Sequence, residues 1–375
     1  HTDSSAASDV YKRQMMNRVN FSQVIRSASK FSVVALTIGL ATTIAGVKYS
    51  LAQQKINLVG AGASFPAPLY QRWFSDMRNS GFEVQVDYQS VGSGAGIERF
   101  TQGLVDFGAS DVAMKNAEID KVSRGVMMLP MTAGSVVLAY NIPGISGLKL
   151  SREVYVDILL GKITNWNDKR IADINSGVNL PNLPVTVVYR SDGSGTTGVF
   201  TKHLSAISAE WKNKVGEGKT VQWPAGIGGP KNDGVTALIR QTKGAIGYIE
   251  FGFAKTARLE TAALENKSGN YIKASLESAK STLAAVKLPE NLRAFINDPQ
   301  GNNSYPIVTY SWLLIYGKYD DGAKAKGIEK MIEYGLNEGQ KVSADLGYIP
   351  LPENVRKTVA KAADKISSTH QISLK

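Results

Sequence analysis

The sequence predicts an α/β fold with mostly parallel sheets, spread over about two domains. Strand-like runs alternate with amphipathic helical stretches, and three strand ends run into glycine-rich turns that open helices. The chain has 375 residues, of which 43% are apolar. Alternation of this kind covers a sheet with helices and brings its strands into parallel order. At roughly 150 residues per domain the length suggests two. The charged fraction of 20% is that of a globular protein, which excludes a coiled coil, a collagen-like fibre and a disordered tail protein.

Residues 1–14 are polar and low in complexity, precede Met15 and Met16, and read as a cloning or translation scar. Arg18, Arg26 and Lys30 then precede an apolar run from Phe31 to Val47, followed by Ser50-Leu51-Ala52. Residues 15–52 are therefore expected to be a signal peptide cleaved after Ala52. A retained membrane anchor is the weaker alternative, because the run of 17 residues lies at the lower edge of spanning length. The chain has no Cys, which excludes a lipid anchor at the usual lipoprotein cleavage site, disulfides, thiolate nucleophiles and Cys-ligated zinc. Of three His, only His203 is placed centrally, so His-based catalysis starts at a disadvantage.

Lys12, Arg13, Arg18, Arg26, Lys30 and Lys48 fall within residues 1–52, with Asp3 and Asp9; the remainder carries 37 basic and 30 acidic side chains, a net charge of +7. A positive field of this size steers anions. Nucleic acid is a poor partner, because the lysines are scattered rather than clustered with aromatics.

The first unit is a strand at Ile56–Val59, the turn GAGASFPAP (60–68), and a helix with Leu69, Trp73 and Met77 spaced by four. The second is an alternating strand at Glu83–Tyr88, the turn VGSGAG (91–96), and a helix from about Ile97. In the third, Val185–Tyr189 runs through RSDGSGTTG (190–198) into a helix at Val199–Leu204. Ligands of such sheets sit beyond the carboxyl ends of the strands. Helix-start N–H groups attract anions there, and Ser and Thr hydroxyls add neutral donors. One such turn is commonplace; three together in a basic chain point to an oxyanion site.

Sharper motifs fail. Gly193-Ser194-Gly195-Thr196-Thr197-Gly198 matches the dinucleotide pattern, but no strand-ending acid follows at the required distance. Gly218-Lys219-Thr220 looks like the end of a P-loop, with Asn213 where its first glycine belongs. Asp192 and Val91 stand where a nucleophile elbow needs glycine. No metal-ligand spacing is present, and no cofactor is expected.

The segments GAGASFPAPLYQRW (60–73), DFGASD (106–111), YRSDGSGTTGVFT (189–201), WPAGIGGPKNDGV (223–235) and GAIGYIE (244–250) resemble, in order, the periplasmic phosphate-binding proteins of high-affinity phosphate ABC transporters. The resemblance runs from about Asn57 to Leu351. It implies a two-lobe periplasmic binding protein of type II, a Venus flytrap with crossing hinge strands and phosphate in the cleft. It also implies a monomer that delivers inorganic phosphate to a membrane permease. By position, the ligand contacts would be Ser64, Phe65, Ser93, Asp111, Arg190, Ser194, Gly195 and Thr196, with Asp192 supporting Arg190. Gly94-Ala95 departs from the Ser-Gly often seen in the second turn. Lobe I would combine 57–138 with 307–375 and lobe II would span 139–306, with Val136–Asn141 and Val308–Ile315 as the crossings. Leu259–Lys280 reads as surface structure of little bearing.

The chemistry of these positions holds independently. Phosphate near neutral pH keeps a proton and sulfate does not. A buried carboxylate such as Asp111 accepts a hydrogen bond from P–OH but meets only lone pairs on sulfate. Asp111 could instead cap a helix over 112–122. Arg190 supplies a planar fork and a full positive charge. The alternatives are an exported phosphatase or esterase using Ser194, for which no base is visible, and a receptor for another oxyanion such as molybdate.

Overall fold

The computed structural model describes residues 55–375. The expected scar at 1–14 and the expected signal peptide at 15–52 lie outside them. In chain order the first elements are β1 Ile56–Gly62, α1 Ala67–Asn79, β2 Val84–Ser90, α2 Ser93–Thr101, β3 Phe107–Ser110, α3 Asn116–Ile119 and β4 Val126–Tyr140. Next come β5 Lys149–Leu150, α4 Arg152–Leu159, α5 Lys169–Ile174, β6 Thr186–Arg190, α6 Gly195–Ile207, α7 Ala209–Lys214, β7 Ile227–Gly229, α8 Lys231–Gln241, β8 Ala245–Glu250 and α9 Phe251–Ala257. The chain continues through β9 Glu260–Thr261, β10 Ala263–Glu265, β11 Tyr271–Ile272, α10 Leu276–Ala284, β12 Val308–Tyr316, α11 Gly322–Leu336, α12 Glu338–Lys341 and α13 Glu353–Ala363.

The main sheet runs β2-β1-β3-β12-β4-β8-β6-β7, with β9 on β4. Its flanks are parallel, as the strand–helix alternation predicts: β2 and β3 flank β1, and β7 and β8 flank β6. Its centre, where the chain crosses, is antiparallel: β3 with β12, β12 with β4, and β4 with β8.

Strand β4 joins two wings of this sheet. Its first part pairs with β12 through Ser135, and from Val136 onward it pairs with β8. The second expected crossing differs: all nine residues of β12 pair within the first wing, and the chain enters there at Ile307, whose carbonyl accepts the Val136 N–H at 2.9 Å. Each wing has its own aromatic core. Tyr70, Phe74, Tyr88 and Phe107 pack together in the first, and Phe200, Trp211, Trp223 and Tyr248 in the second. Such rings bury large areas and dominate core energetics.

Two helices begin earlier than the sequence suggests. Helix α2 starts at Ser93, behind Gly92 at φ 88°, so Gly94 to Gly96 are helical rather than turn residues. A side chain on Gly96 would collide with the Gly62 backbone, so this glycine lets the helix lie against β1. Helix α6 starts at Gly195, capped by the Ser194 hydroxyl. The cap outweighs the poor helix propensity of the Gly-Thr-Thr-Gly run. The region after Ala257 is more ordered than expected, since β10 pairs with β5 and β11, and Thr261, Ala262, Leu264 and Asn266 are buried. Asn266 Nδ2 lies 3.0–3.1 Å from the carbonyls of Gly301, Asn302 and Ser304, which it binds as donor, a long-range link invisible to local patterning. Among the described residues no helix is long and apolar enough to cross a membrane.

Candidate functional site

The three glycine turns converge: Asn232 links Ser64 to Thr196, which Arg190 also reaches, and Ser93, Asp111 and Gly195 lie against one another. Ser64 and Phe65 follow β1, where Ala63 N–H still bonds the Ala109 carbonyl at 2.9 Å. Phe65 is fully buried, and its carbonyl accepts from Tyr348 O–H at 2.7 Å, fixing the peptide that precedes α1. Ser93 opens α2. Its Oγ accepts from Asp111 N–H at 3.3 Å and lies 3.5 Å from Asp111 Oδ2.

Asp111 does not cap a helix. The helix expected over 112–122 is reduced to the four residues of α3, preceded by Lys115. Instead β12 holds the Asp111 carboxyl: Ser311 O–H donates to Oδ1 at 2.9 Å, and Thr309 O–H donates to the Asp111 carbonyl at 3.1 Å. A bulge in the ladder follows Ser311 and breaks the register before Trp312, a common way to aim a side chain at a site. Burial raises the Asp111 pKa to about 7, against the lowering pull of Ser311, the Arg190 charge and Ser93.

Arg190 ends β6 with its side chain 1% exposed. Its Nε and Nη2 donate to Asp192 Oδ1 and Oδ2 at 2.7 and 2.6 Å, and Nη1 donates to Thr196 Oγ1 at 3.3 Å. A guanidinium has five N–H donors, so one on each terminal nitrogen remains for a ligand. Asp192 also accepts from Lys231 N–H at 2.9 Å. Partial burial pushes its carboxyl up, but Arg190 and that N–H outweigh it and hold the group below the usual carboxylate range.

Ser194 Oγ accepts from Thr197 N–H at 3.0 Å, which leaves its own hydrogen to donate elsewhere. Gly195 and Thr196 occupy the first turn of α6, where N–H groups have no intrahelical acceptor. A Cβ on Gly195 would collide with Ser93 Oγ and lie 2.7 Å from Asp111 Oδ2. The turns from the two wings thus meet backbone to side chain.

They also meet backbone to backbone. Gly94 N–H donates to the Gly193 carbonyl at 2.7 Å, and a Cβ on Gly94 would lie 3.0 Å from Gly193 Cα. The Gly94 departure therefore sits where the second and third turns touch. Around this seam Lys219 Nζ bonds Glu118 at 2.5 Å, and Arg293 donates to the Met114 carbonyl and Asn116 Oδ1 at 2.6 and 2.8 Å.

The hydrolase alternative finds no support in these contacts. His203 Nε2 is hydrogen-bonded to the Tyr155 hydroxyl at 2.8 Å, and burial lowers its pKa to about 4. Among the described residues no cluster of His, Cys, Asp and Glu could hold a metal ion.

Three contributors were missed by residue. Ser311 and Thr309 were visible as polar residues at alternate positions of an apolar strand. Asn232 lies fully buried at the start of α8, within a segment that carried the resemblance, but no local pattern gives it a role. Its Nδ2 donates to Ser64 Oγ at 3.0 Å and to Thr196 Oγ1 at 3.4 Å.

The PBP superfamily domain matches residues 46–334. Phosphate-binding protein PstS of Pasteurella multocida is 39% identical over 82% of this chain and 90% of that protein. Its namesake in Methanocaldococcus jannaschii is 41% identical over 81% of this chain and 85% of that protein. A putative phosphate ABC transporter substrate-binding protein from Clostridium perfringens, solved with bound phosphate, superposes at a TM-score of 0.59 with 19% identity, covering 79% of this chain and 100% of that one. A phosphate-binding protein from Stenotrophomonas maltophilia gives 0.63 with 19% identity, over 81% and 93% of the two chains. At such identities these two structures share the fold, a two-lobe periplasmic binding protein. The chain belongs to the PBP superfamily and, within it, to the family of the PstS phosphate-binding proteins.

Proposed function

We propose that the chain binds inorganic phosphate between the two wings and delivers it to the permease of a phosphate ABC transporter, working in the periplasm after export. One observation carries the reading: the buried carboxyl of Asp111 faces a set of donors that includes the buried guanidinium of Arg190. That pattern suits a tetrahedral anion that still carries a hydrogen. The ligand contacts would be the Ser64 hydroxyl, the Phe65 N–H, the Ser93 and Ser194 hydroxyls, Asp111, Arg190, and the N–H groups of Gly195 and Thr196. Asp192 holds the guanidinium. Residues 57–138 with 307–375 would form one lobe and 139–306 the other, closing over the anion by a hinge motion that excludes water. The names of the relatives and the phosphate in the Clostridium perfringens structure support the ligand; the signal peptide read in residues 15–52 supports export.

Isothermal titration is expected to show one phosphate per chain, with sulfate at least about a hundredfold weaker, the cost of an acceptor-to-acceptor contact in a buried site. Equal affinities would overturn the reading.

Gly195→Ala tests the closed geometry. The added methyl enters the space held by Ser93 Oγ and Asp111 Oδ2, which cannot both retreat without breaking the Ser311 bond. Phosphate affinity should fall by about 10–100-fold, because misplacement within a preorganised site forfeits several hydrogen bonds at once. Binding within about threefold of wild type would show that the wings do not need to approach this closely.

A further inference from the structure

Asn232 has no ligand role in the reading above, yet its four hydrogen-bonding groups are all placed. Its Oδ1 accepts from Glu250 N–H at 3.0 Å, which fixes the amide orientation and turns the NH2 group toward the site. Its main-chain N–H and its Nδ2 both donate to Ser64 Oγ, at 3.1 and 3.0 Å. Its Nδ2 also donates to Thr196 Oγ1 at 3.4 Å, where Arg190 Nη1 donates from another side at 3.3 Å. A hydroxyl has two lone pairs and one hydrogen. Ser64 and Thr196 each receive two donors, so each has only its hydrogen left to offer. Ser311 on the opposite side is oriented the other way, donating to Asp111.

We propose that Asn232 is a positioning residue that sets the polarity of the Ser64 and Thr196 hydroxyls as donors and so makes that face of the site favour deprotonated oxygens, which accept more strongly than P–OH. The inference rests on phosphate occupying this site. Asp111 then receives the P–OH, and the Asn232 side disfavours a hydrogen-bearing oxygen, whose hydrogen finds no acceptor there. The two residues together fix which oxygen of the anion carries the proton. Asn232 also joins Ser64, after β1, to Thr196, in α6, so its bonds form only when the first and third turns are together.

Asn232→Asp keeps the shape and the acceptor for Glu250 N–H but replaces the NH2 by an acceptor. Both hydroxyls can then rotate to donate to the introduced carboxyl and are lost to the ligand. Isothermal titration of inorganic phosphate should show a loss of at least about a hundredfold at pH 8, since charge-assisted donors are withdrawn and an acceptor faces the anion. The loss should shrink as pH falls toward 6, where protonation restores a donor on the carboxyl and phosphate carries more hydrogen. Asn232→Ala frees the hydroxyls without reversing them, so it should lose about tenfold, with a pH profile parallel to that of wild type. Thermal melts of both variants accompany the titrations. An Asn232→Asp profile superimposable on wild type would overturn the inference, and so would equal losses in the two variants with unchanged pH dependence, which mark plain structural support. A wild-type chain that binds no phosphate would instead sink the site assignment on which the inference stands.

Discussion

Arg190→Ala is expected to weaken phosphate binding by about three orders of magnitude, the scale of losing a buried charged partner and its bidentate hydrogen bonds. Arg190 supplies the guanidinium among the proposed ligand contacts, and its side chain is 1% exposed. Asp192 occupies Nε and one hydrogen of Nη2, and Thr196 one hydrogen of Nη1, so the fork reaches the site already oriented. Removal leaves an anion held by neutral dipoles beside a carboxyl. The fold should survive, because Asp192 is 20% exposed and water can solvate it once its partner is gone. Arg190→Lys keeps the charge without the fork and should fall between the two. Titration calorimetry with a parallel melt decides the matter: an alanine variant within about tenfold of wild type would remove Arg190 from the ligand set.

Asp111→Asn should act on discrimination more than on affinity. The wild-type carboxylate accepts the phosphate hydrogen and repels sulfate; an amide NH2 can donate to either anion. The ratio of sulfate to phosphate dissociation constants is expected to fall by at least about tenfold at pH 8, the value of one reversed hydrogen bond. The raised pKa of about 7 adds a pH signature. Below it Asp111 carries its own hydrogen and can donate to sulfate, so wild-type discrimination should decline from pH 8.5 to pH 5.5 while that of the variant stays flat.

The same shift governs stability without ligand. A carboxyl whose folded pKa is raised stabilises the fold below its unfolded value near 3.8, and that contribution is lost as pH rises through about 7. The melting temperature of the wild type minus that of Asp111→Asn should therefore drop across this window, by an amount equivalent to on the order of 4 kcal/mol of unfolding free energy. Glu250, which burial and also the Asp111 charge push well above the usual range, titrates in both proteins, so only its interaction with Asp111 remains in the difference. A difference independent of pH would show that Asp111 is not buried as a charged group, and unchanged anion discrimination would remove it from the selective role.

Most of the candidate site was legible because its chemistry is local. Ser64, Ser93 and Ser194 stand in glycine-rich strand-to-helix turns, and a turn of this kind states its own geometry in four or five residues. Arg190 and Asp192 are two apart, so their pairing needs no long-range information. Helix starts were read late, since Gly94 and Gly195 look like turn residues until Gly96 is seen against Gly62 and Ser194 is seen capping α6. The β12 partners of Asp111 lie some 200 residues away, and only tertiary contact chose Ser311 over a helix cap. Asn232 is the limiting case: its bonds reach Ser64 in the turn after β1, Thr196 in α6 and Glu250 in β8, and no spacing in the sequence encodes such a junction.

The long strand β4 ties the fate of the two halves together. Its fifteen residues, buried but for the first two, lend one edge to β12 and then another to β8. Neither aromatic core can come apart without stripping hydrogen bonds from a ribbon that the other still uses. A chain with two cores should thus melt as one cooperative unit, with loss of order in either half propagating along a shared backbone.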